Sequence, residues 1–182
     1  MAELINRLIR DHRHLLRVLD LLDGLLDQFR AGGELNYELL CELLEYMEDY
    51  ADQIHHPSEE DVFNRLRARG YDKYPVLDLL SNQHLQLSQV NKRFRRSLEG
   101  IMHEGVLRRD QVEVQGRELV KTLREHLDLE EREAFPLARE QLFAGDWDEL
   151  LSAASSEQDP LFGEAGQKRF QSLLRYLAEW SC

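Results

Sequence analysis

An all-α fold, an antiparallel up-down-up-down four-helix bundle with a short C-terminal helix, is predicted by three observations. Apolar residues recur at alternating steps of three and four over four long stretches. β-branched residues are few, and the 182 residues include only 4 prolines. Short breaks rich in glycine separate the stretches, and short connections favour antiparallel neighbours.

The first stretch runs from about Ala2 to Arg30, with Ile5, Leu8, His12, Leu15, Leu19, Leu22 and Leu26 on one line. Ala31-Gly32-Gly33 stops it, as glycine commonly does just past a helix end. Asn36 is placed to cap a second helix reaching about Ala68, whose inner line is Leu40, Leu44, Met47, Ala51, His55, Glu59, Val62 and Leu66. Pro57 lies inside it and should bend it by removing a backbone donor. Gly70 ends it. A third helix opens near Pro75, a favoured first-turn residue, and carries Leu77, Leu80, His84, Leu87, Asn91, Phe94 and Leu98 until Gly105. Asp110 and Glu113 have the spacing of a capping box. The fourth helix follows to about Ala144 through Leu119, Leu123, His126, Glu130 and Leu137. Residues 1–145 are therefore expected to form the bundle. Residues 146–182 form an extension, with Phe170, Leu173, Leu174, Leu177 and Trp180 on a short amphipathic helix. That helix should cover the bundle or make a homodimer contact.

The net charge of -12 argues against nucleic acid, since phosphate backbones need a basic face. No apolar run is long enough to cross a membrane and no signal segment is recognisable, so a cytoplasmic protein is expected. Cys41 and Cys182 form neither a disulfide framework nor a metal motif.

The chemistry lies in histidines on the apolar lines. His12, His55, His84 and His126 each sit partway along a different helix, and Glu59 and Glu130 follow two of them by four residues, so each pair shares a helix face. Burying two carboxylates among leucines is costly unless they are paired or bind metal. Four imidazoles and two carboxylates exceed the four ligands of a structural zinc. They suit two ions, about six-coordinate, with positions left for water or a small molecule. Imidazole and carboxylate donors fit iron or manganese and can take zinc; iron is preferred because open positions on a redox metal have a use.

His56 and Glu60 have the same spacing as His55 and Glu59. Helical phase favours the first pair and sets the second on a more polar face, so His56→Ala should retain most metal. Whether His56 and Glu60 replace or supplement the first pair stays open. His14 is displaced from the line of helix one and reads as a flanking residue, and His103 as surface. Glu60 and Glu131 could hydrogen-bond ligand imidazoles, although a solvated carboxylate is the commoner role.

His12, His55-His56-Pro57-Ser58-Glu59-Glu60, His84 and His126-Leu127-Asp128-Leu129-Glu130-Glu131, with Phe135-Pro136, resemble the hemerythrin-like HHE cation-binding family over about residues 1–145. The resemblance implies two iron ions bridged by two carboxylates and an oxo or hydroxo group (Fe-O-Fe or Fe-OH-Fe). Its ligands would be His12, His55, Glu59, His84, His126 and Glu130. Oxygen carriers of that family have a second histidine four residues after the third-helix ligand; here Ser88 stands there. One imidazole is then missing, which favours an open, reactive or sensing centre over reversible storage. The expected ligand is a small diatomic molecule, oxygen or nitric oxide, in sensing or stress response. The alternatives are an enzyme acting on peroxide or nitric oxide, an iron store, or an iron–sulfur repair factor. Whether the chain is an enzyme is left open. No Glu-x-x-His occurs, which argues against a ferritin-like centre.

Overall fold

In the computed structural model, residues 3–102, 109–155, 159–163 and 169–180 are described. Ala2, His103, Gly105 and Cys182 lie outside the described residues. Helices account for nearly all of the rest, and no strand occurs among the described residues. The helices are α1 (Glu3–Arg30), α2 (Tyr37–Tyr46), α3 (His56–Leu66), α4 (Pro75–Met102), α5 (Arg109–Leu129), α6 (Phe135–Gln141), α7 (Ala144–Ala153) and α8 (Gln171–Trp180). A π-helical stretch, Met47–His55, joins α2 to α3, and another, Glu130–Ala134, joins α5 to α6. Each join is one continuous rod.

The sequence signals act locally as expected. The Asn36 side chain accepts a hydrogen bond from the Leu39 amide at 3.0 Å. Gly32 and Gly70 end their helices at φ 97° and 92°, a left-handed backbone that a Cβ disfavours. Pro75 opens α4. One ending differs from expectation. The fourth rod stops at Gln141, because Leu142 is extended, and the chain re-enters a helix at Ala144 that periodicity alone did not reveal. Asp146, in the first turn of α7, accepts hydrogen bonds from the Phe143 amide at 2.9 Å and from Arg69 at 2.7 Å.

The rods pack with opposed chain direction along their contacts. Arg139 bonds Asn6, Arg124 bonds Asp20, Arg117 pairs with Asp23 and Asp27, and Arg109 bonds the carbonyl of Phe29. Residue numbers thus fall on one helix as they rise on the other. The same holds between the second rod and α4, where Glu60 meets His84 and Asn91 meets the Leu44 carbonyl. Gly116 lies where α5 crosses α1; a Cβ there would sit 2.7 Å from Leu26 Cδ1. Gly116→Val should therefore force the two helices apart and lower stability by about 1–3 kcal/mol, readable as a lower urea midpoint at unchanged slope.

Two apolar clusters fill the interior. One holds Leu15, Leu19, Leu44, Ala51, Leu87 and Leu123; the other holds Leu4, Leu8, Val62, Leu80, Phe135 and Trp147. Between them every rod carries a buried polar residue at the same level: His12 between Leu8 and Leu15, His55 and Glu59 between Ala51 and Val62, His84 between Leu80 and Leu87, and His126 and Glu130 between Leu123 and Ala134. The tail seals both ends. Trp147 and Leu150 of α7 join one cluster, and Phe170, Leu173 and Leu177 join the other. The apolar line of α8 is thereby used within the chain.

Candidate metal centre

The π-helical stretches Met47–His55 and Glu130–Ala134 each end just before a proline, Pro57 and Pro136 respectively. A proline ring clashes with the carbonyl four residues back and leaves that carbonyl without a donor. Widening the helix answers both problems. The His56 amide bonds the Ala51 carbonyl just before Pro57, and the Phe135 amide bonds the Glu130 carbonyl just before Pro136. Widening also aligns the ligands. Met47, Ala51, His55 and Glu59 follow one another in steps of four, which in an ideal α-helix would drift by about 40° per step. In a wider helix they stay on one line.

Glu59 is fully buried and lies between the histidines. Its Oε1 is 3.1 Å from His12 Nε2 and 3.0 Å from His55 Nε2; its Oε2 is 3.4 Å from His84 Nε2. Glu130, also fully buried, places Oε2 3.4 Å from His12 Nε2 and 3.3 Å from His126 Nε2, and Oε1 3.5 Å from His84 Nε2. All six expected ligands, His12, His55, Glu59, His84, His126 and Glu130, therefore meet in one layer.

His56 joins them, which corrects its placement on a polar face. It is 5% exposed, its ring stacks on His84 with centroids 4.4 Å apart, and it meets His126 edge-on at 5.6 Å. Ideal α-helical rotation does not hold here. In the π-helical stretch successive residues are turned through a smaller angle, so His55 and His56 both face inward, on either side of Glu59. Donor atoms of His12, His55 and Glu59 lie within 4.8 Å of one another, and so do those of His56, Glu59, His84 and His126. Two donor groups share one carboxylate. His56 thus brings a fifth imidazole into the layer from the second rod.

The donor atoms fit metal ions. The Nε2 atoms of His55, His56, His84 and His126, Oε2 of Glu59 and both oxygens of Glu130 are buried without a hydrogen-bond partner. Orphaned buried polar atoms cost about 1–3 kcal/mol each, more when charged, and are rare in native interiors. Here they converge on one point. The far sides of the rings are mostly engaged. His12 Nδ1 donates to Glu131 at 2.9 Å, His84 Nδ1 to Glu60 at 2.8 Å, and His126 Nδ1 to Gln83 at 3.1 Å. Asp11 and Asp52 lie 3.5 Å from Nδ1 of His55 and His56. Metal-binding histidines are held in this way, with Nδ1 fixed and Nε2 aimed inward. Glu60 and Glu131 are thus ring-orienting partners rather than plain solvated carboxylates. Asp11, Asp52 and Gln83 escaped the sequence reading, although Asp52 and Gln83 lie within a turn of a histidine. His14 stands apart: it bonds Asp159 at 3.0 Å and stacks on Phe162.

The protonation pattern follows from this crowding. Burial would push His12, His55 and His84 down. The facing carboxylates outweigh it, holding His12 well above its ordinary value, His55 up to about 9 and His84 up to about 11. Burial prevails at His56, which is lowered, and at His126, lowered to about 3. Burial also opposes charge on Glu59, yet the imidazoles around it keep its carboxyl well below the usual range. Protons thus stand in for cations in the metal-free chain. A histidine with a raised folded value stabilises fully below its unfolded value near 6.5, and that contribution is lost as pH rises through the folded value. The metal-free chain should therefore lose stability between about pH 6.5 and pH 11, while the loaded chain, needing no protons on these rings, keeps it. Urea midpoints of both forms against pH should diverge in that window; parallel curves would contradict the assignment.

A family model described as the hemerythrin HHE cation binding domain matches residues 3–138. The chain belongs to this family. The matched span includes every residue of the layer, so the cation-binding domain of this family and the buried His/Glu cluster coincide in this chain. No curated protein and no solved structure matches the chain.

Proposed function

We propose that the domain holds two iron ions bridged by Glu59 and Glu130 and by an oxo or hydroxo group, and that this centre binds a small diatomic ligand, oxygen or nitric oxide, in sensing or stress response. The observation that carries it is the convergence of unpartnered donors into two groups that share Glu59. His12 and His55 would hold one ion, and His56, His84 and His126 the other. The ligand types, imidazole and carboxylate without thiolate, support iron and also admit manganese or zinc. Bound iron would supply redox chemistry and a ligand position; the chain supplies a dry layer between two apolar clusters and rings fixed from behind.

The frame we infer is the up-down-up-down bundle of residues 1–145, supported by the opposed pairings of α1 with α5 and of the second rod with α4. Helices α7 and α8 pack against it. No described helix is long and apolar enough to cross a membrane, which agrees with a cytoplasmic location. With His56 included, the imidazole count matches that of an oxygen carrier, so the missing histidine at position 88 no longer argues against reversible binding. The alternative is an enzyme acting on peroxide or nitric oxide; storage and iron–sulfur repair rank below it.

Metal per chain in aerobically purified protein is the primary test. About two irons support the reading, whereas a single zinc despite supplied iron would overturn it. Adding peroxide or nitric oxide to the reduced protein then separates the roles. One stoichiometric spectral change marks a binder, and repeated turnover an enzyme.

A further inference from the structure

Tyr46 and Tyr50 are buried, and the donor layer uses neither. They lie on the second rod and lead up to His55. The Tyr50 ring stacks on His55 with centroids 6.4 Å apart, and the Tyr46 ring stacks on Tyr50 at 5.9 Å, both within the range of aromatic contact. The Tyr46 hydroxyl donates to Asp159 Oδ2 at 3.1 Å, and His14 Nδ1 donates to the same oxygen at 3.0 Å. The His14 side chain is 30% exposed and stacks on Phe162, with centroids 4.0 Å apart. Asp11 is the carboxylate beside the Tyr50 hydroxyl. A row of side chains thus runs from a ligand ring out to solvent, and each phenol on it has a carboxylate next to it. Elsewhere around the layer phenylalanines stack on ligand rings, Phe135 on His12 and Phe63 on His84, and they hold no phenol to oxidise.

We propose that Tyr46 and Tyr50 are an electron relay, which carries single electrons from a reductant at the bundle surface to the centre when the centre meets hydrogen peroxide. The proposal rests on the two-metal reading above and gives that site a peroxidase activity. His12, Glu59, His126 and Glu130 are 0% exposed, so a reductant of ordinary size cannot touch the layer and its electrons must pass through side chains. The row meets the layer at His55. In the two-ion scheme the His12 and His55 ion has one imidazole fewer than the other, and so would keep the position that an oxidant takes. A phenol yields an electron readily only when its proton has an acceptor, and Asp159 is at hydrogen-bond distance from Tyr46. Peroxide takes two electrons and two protons; its O–O bond breaks and two waters form. Each electron is one pass of the relay. Tyr46 loses an electron through Tyr50 and its hydroxyl proton to Asp159, becoming a neutral phenoxyl radical. A donor of the ascorbate or phenol class then returns one electron, the proton moves back from Asp159, and the O–H bond re-forms. Each donor molecule loses one electron and one proton, so two passes supply all that the two waters need.

Hydrogen peroxide is the probe, mixed with oxidised, iron-loaded protein in the absence of a donor and rapidly frozen for electron paramagnetic resonance. A tyrosyl radical should appear, its line shape should narrow when the chain carries ring-deuterated tyrosine, and ascorbate should remove it. Metal-free protein should give no signal. Tyr46→Phe keeps the ring and leaves Asp159 bonded to His14 and to the Leu161 amide, so it should fold, keep its iron and lose most of the signal. Tyr50→Phe should slow the growth of the signal several-fold at unchanged iron content. Tyr71→Phe, whose hydroxyl bonds Gln141 away from the row, should change nothing. Asp159→Asn removes the proton acceptor and should lower the yield; a wild-type yield there would overturn the proton transfer. No radical in fully loaded wild type, or a full signal in the Tyr46→Phe, Tyr50→Phe double variant, would overturn the relay while leaving the metal centre intact. A wild-type chain that takes up no iron overturns the metal centre itself, and the relay with it.

Discussion

Glu59→Ala should strip metal from both halves of the centre, leaving close to none of the two ions per chain. Among the described residues Glu59 alone belongs to both donor groups, with Oε1 facing His12 and His55 and Oε2 facing His84, and Glu130 too reaches His12 and His84. Its loss also leaves three imidazoles with raised proton affinity facing a single carboxylate, Glu130. Burying cations with too few anions is costly. Metal ions in the layer would likewise have only Glu130 beside them to offset their charge. Glu59→Gln, which keeps the shape and removes the charge, is the control for a folding defect. It should fold with unchanged helical content and still fail to hold two ions. Elemental analysis reads both variants, and two ions per chain in either one would sink the shared-carboxylate arrangement.

His56→Ala should reduce the content from two ions towards one. His55→Ala should do the same, from the other half. The two variants are neighbours in sequence yet act on different ions. His55 lies with His12 on one side of Glu59; His56 lies against His84 and His126 on the other. The double variant should hold essentially no metal, because each half then lacks one of its imidazoles. Full loading of His56→Ala would restore the simpler scheme with one ligand pair in the second rod. The orphaned Nε2 of His56 would then need another partner.

The contrast between these two residues shows where reading the chain succeeds and where it stops. His12, His84 and His126 could be picked out because each lies on an uninterrupted α-helical line, where one period holds from cap to cap. Glu130 was found by its four-residue spacing from His126, which survives because both belong to one turn. His56 was misplaced because Pro57 widens the helix just before it, and a fixed period cannot carry phase through such a stretch. The signal was nonetheless present, in the run of four-residue steps from Met47 to Glu59 that an ideal helix would not keep aligned. Helix α7 was missed for another reason. It is short, and Trp147 and Leu150 gain their burial only by packing on Leu4, Phe63 and their neighbours.

By itself, then, the sequence determined the all-helical fold, the four rods and six residues of the buried His/Glu layer, because helical periodicity and i, i+4 spacing are local properties of the chain. Only the tertiary structure decided that His56 turns inward, that Asp11, Asp52 and Gln83 stand behind the rings, and that Tyr46 and Tyr50 line up behind His55. Each of those depends on how one rod is wound and set against another, and distances between rods are not written in spacing along any one of them.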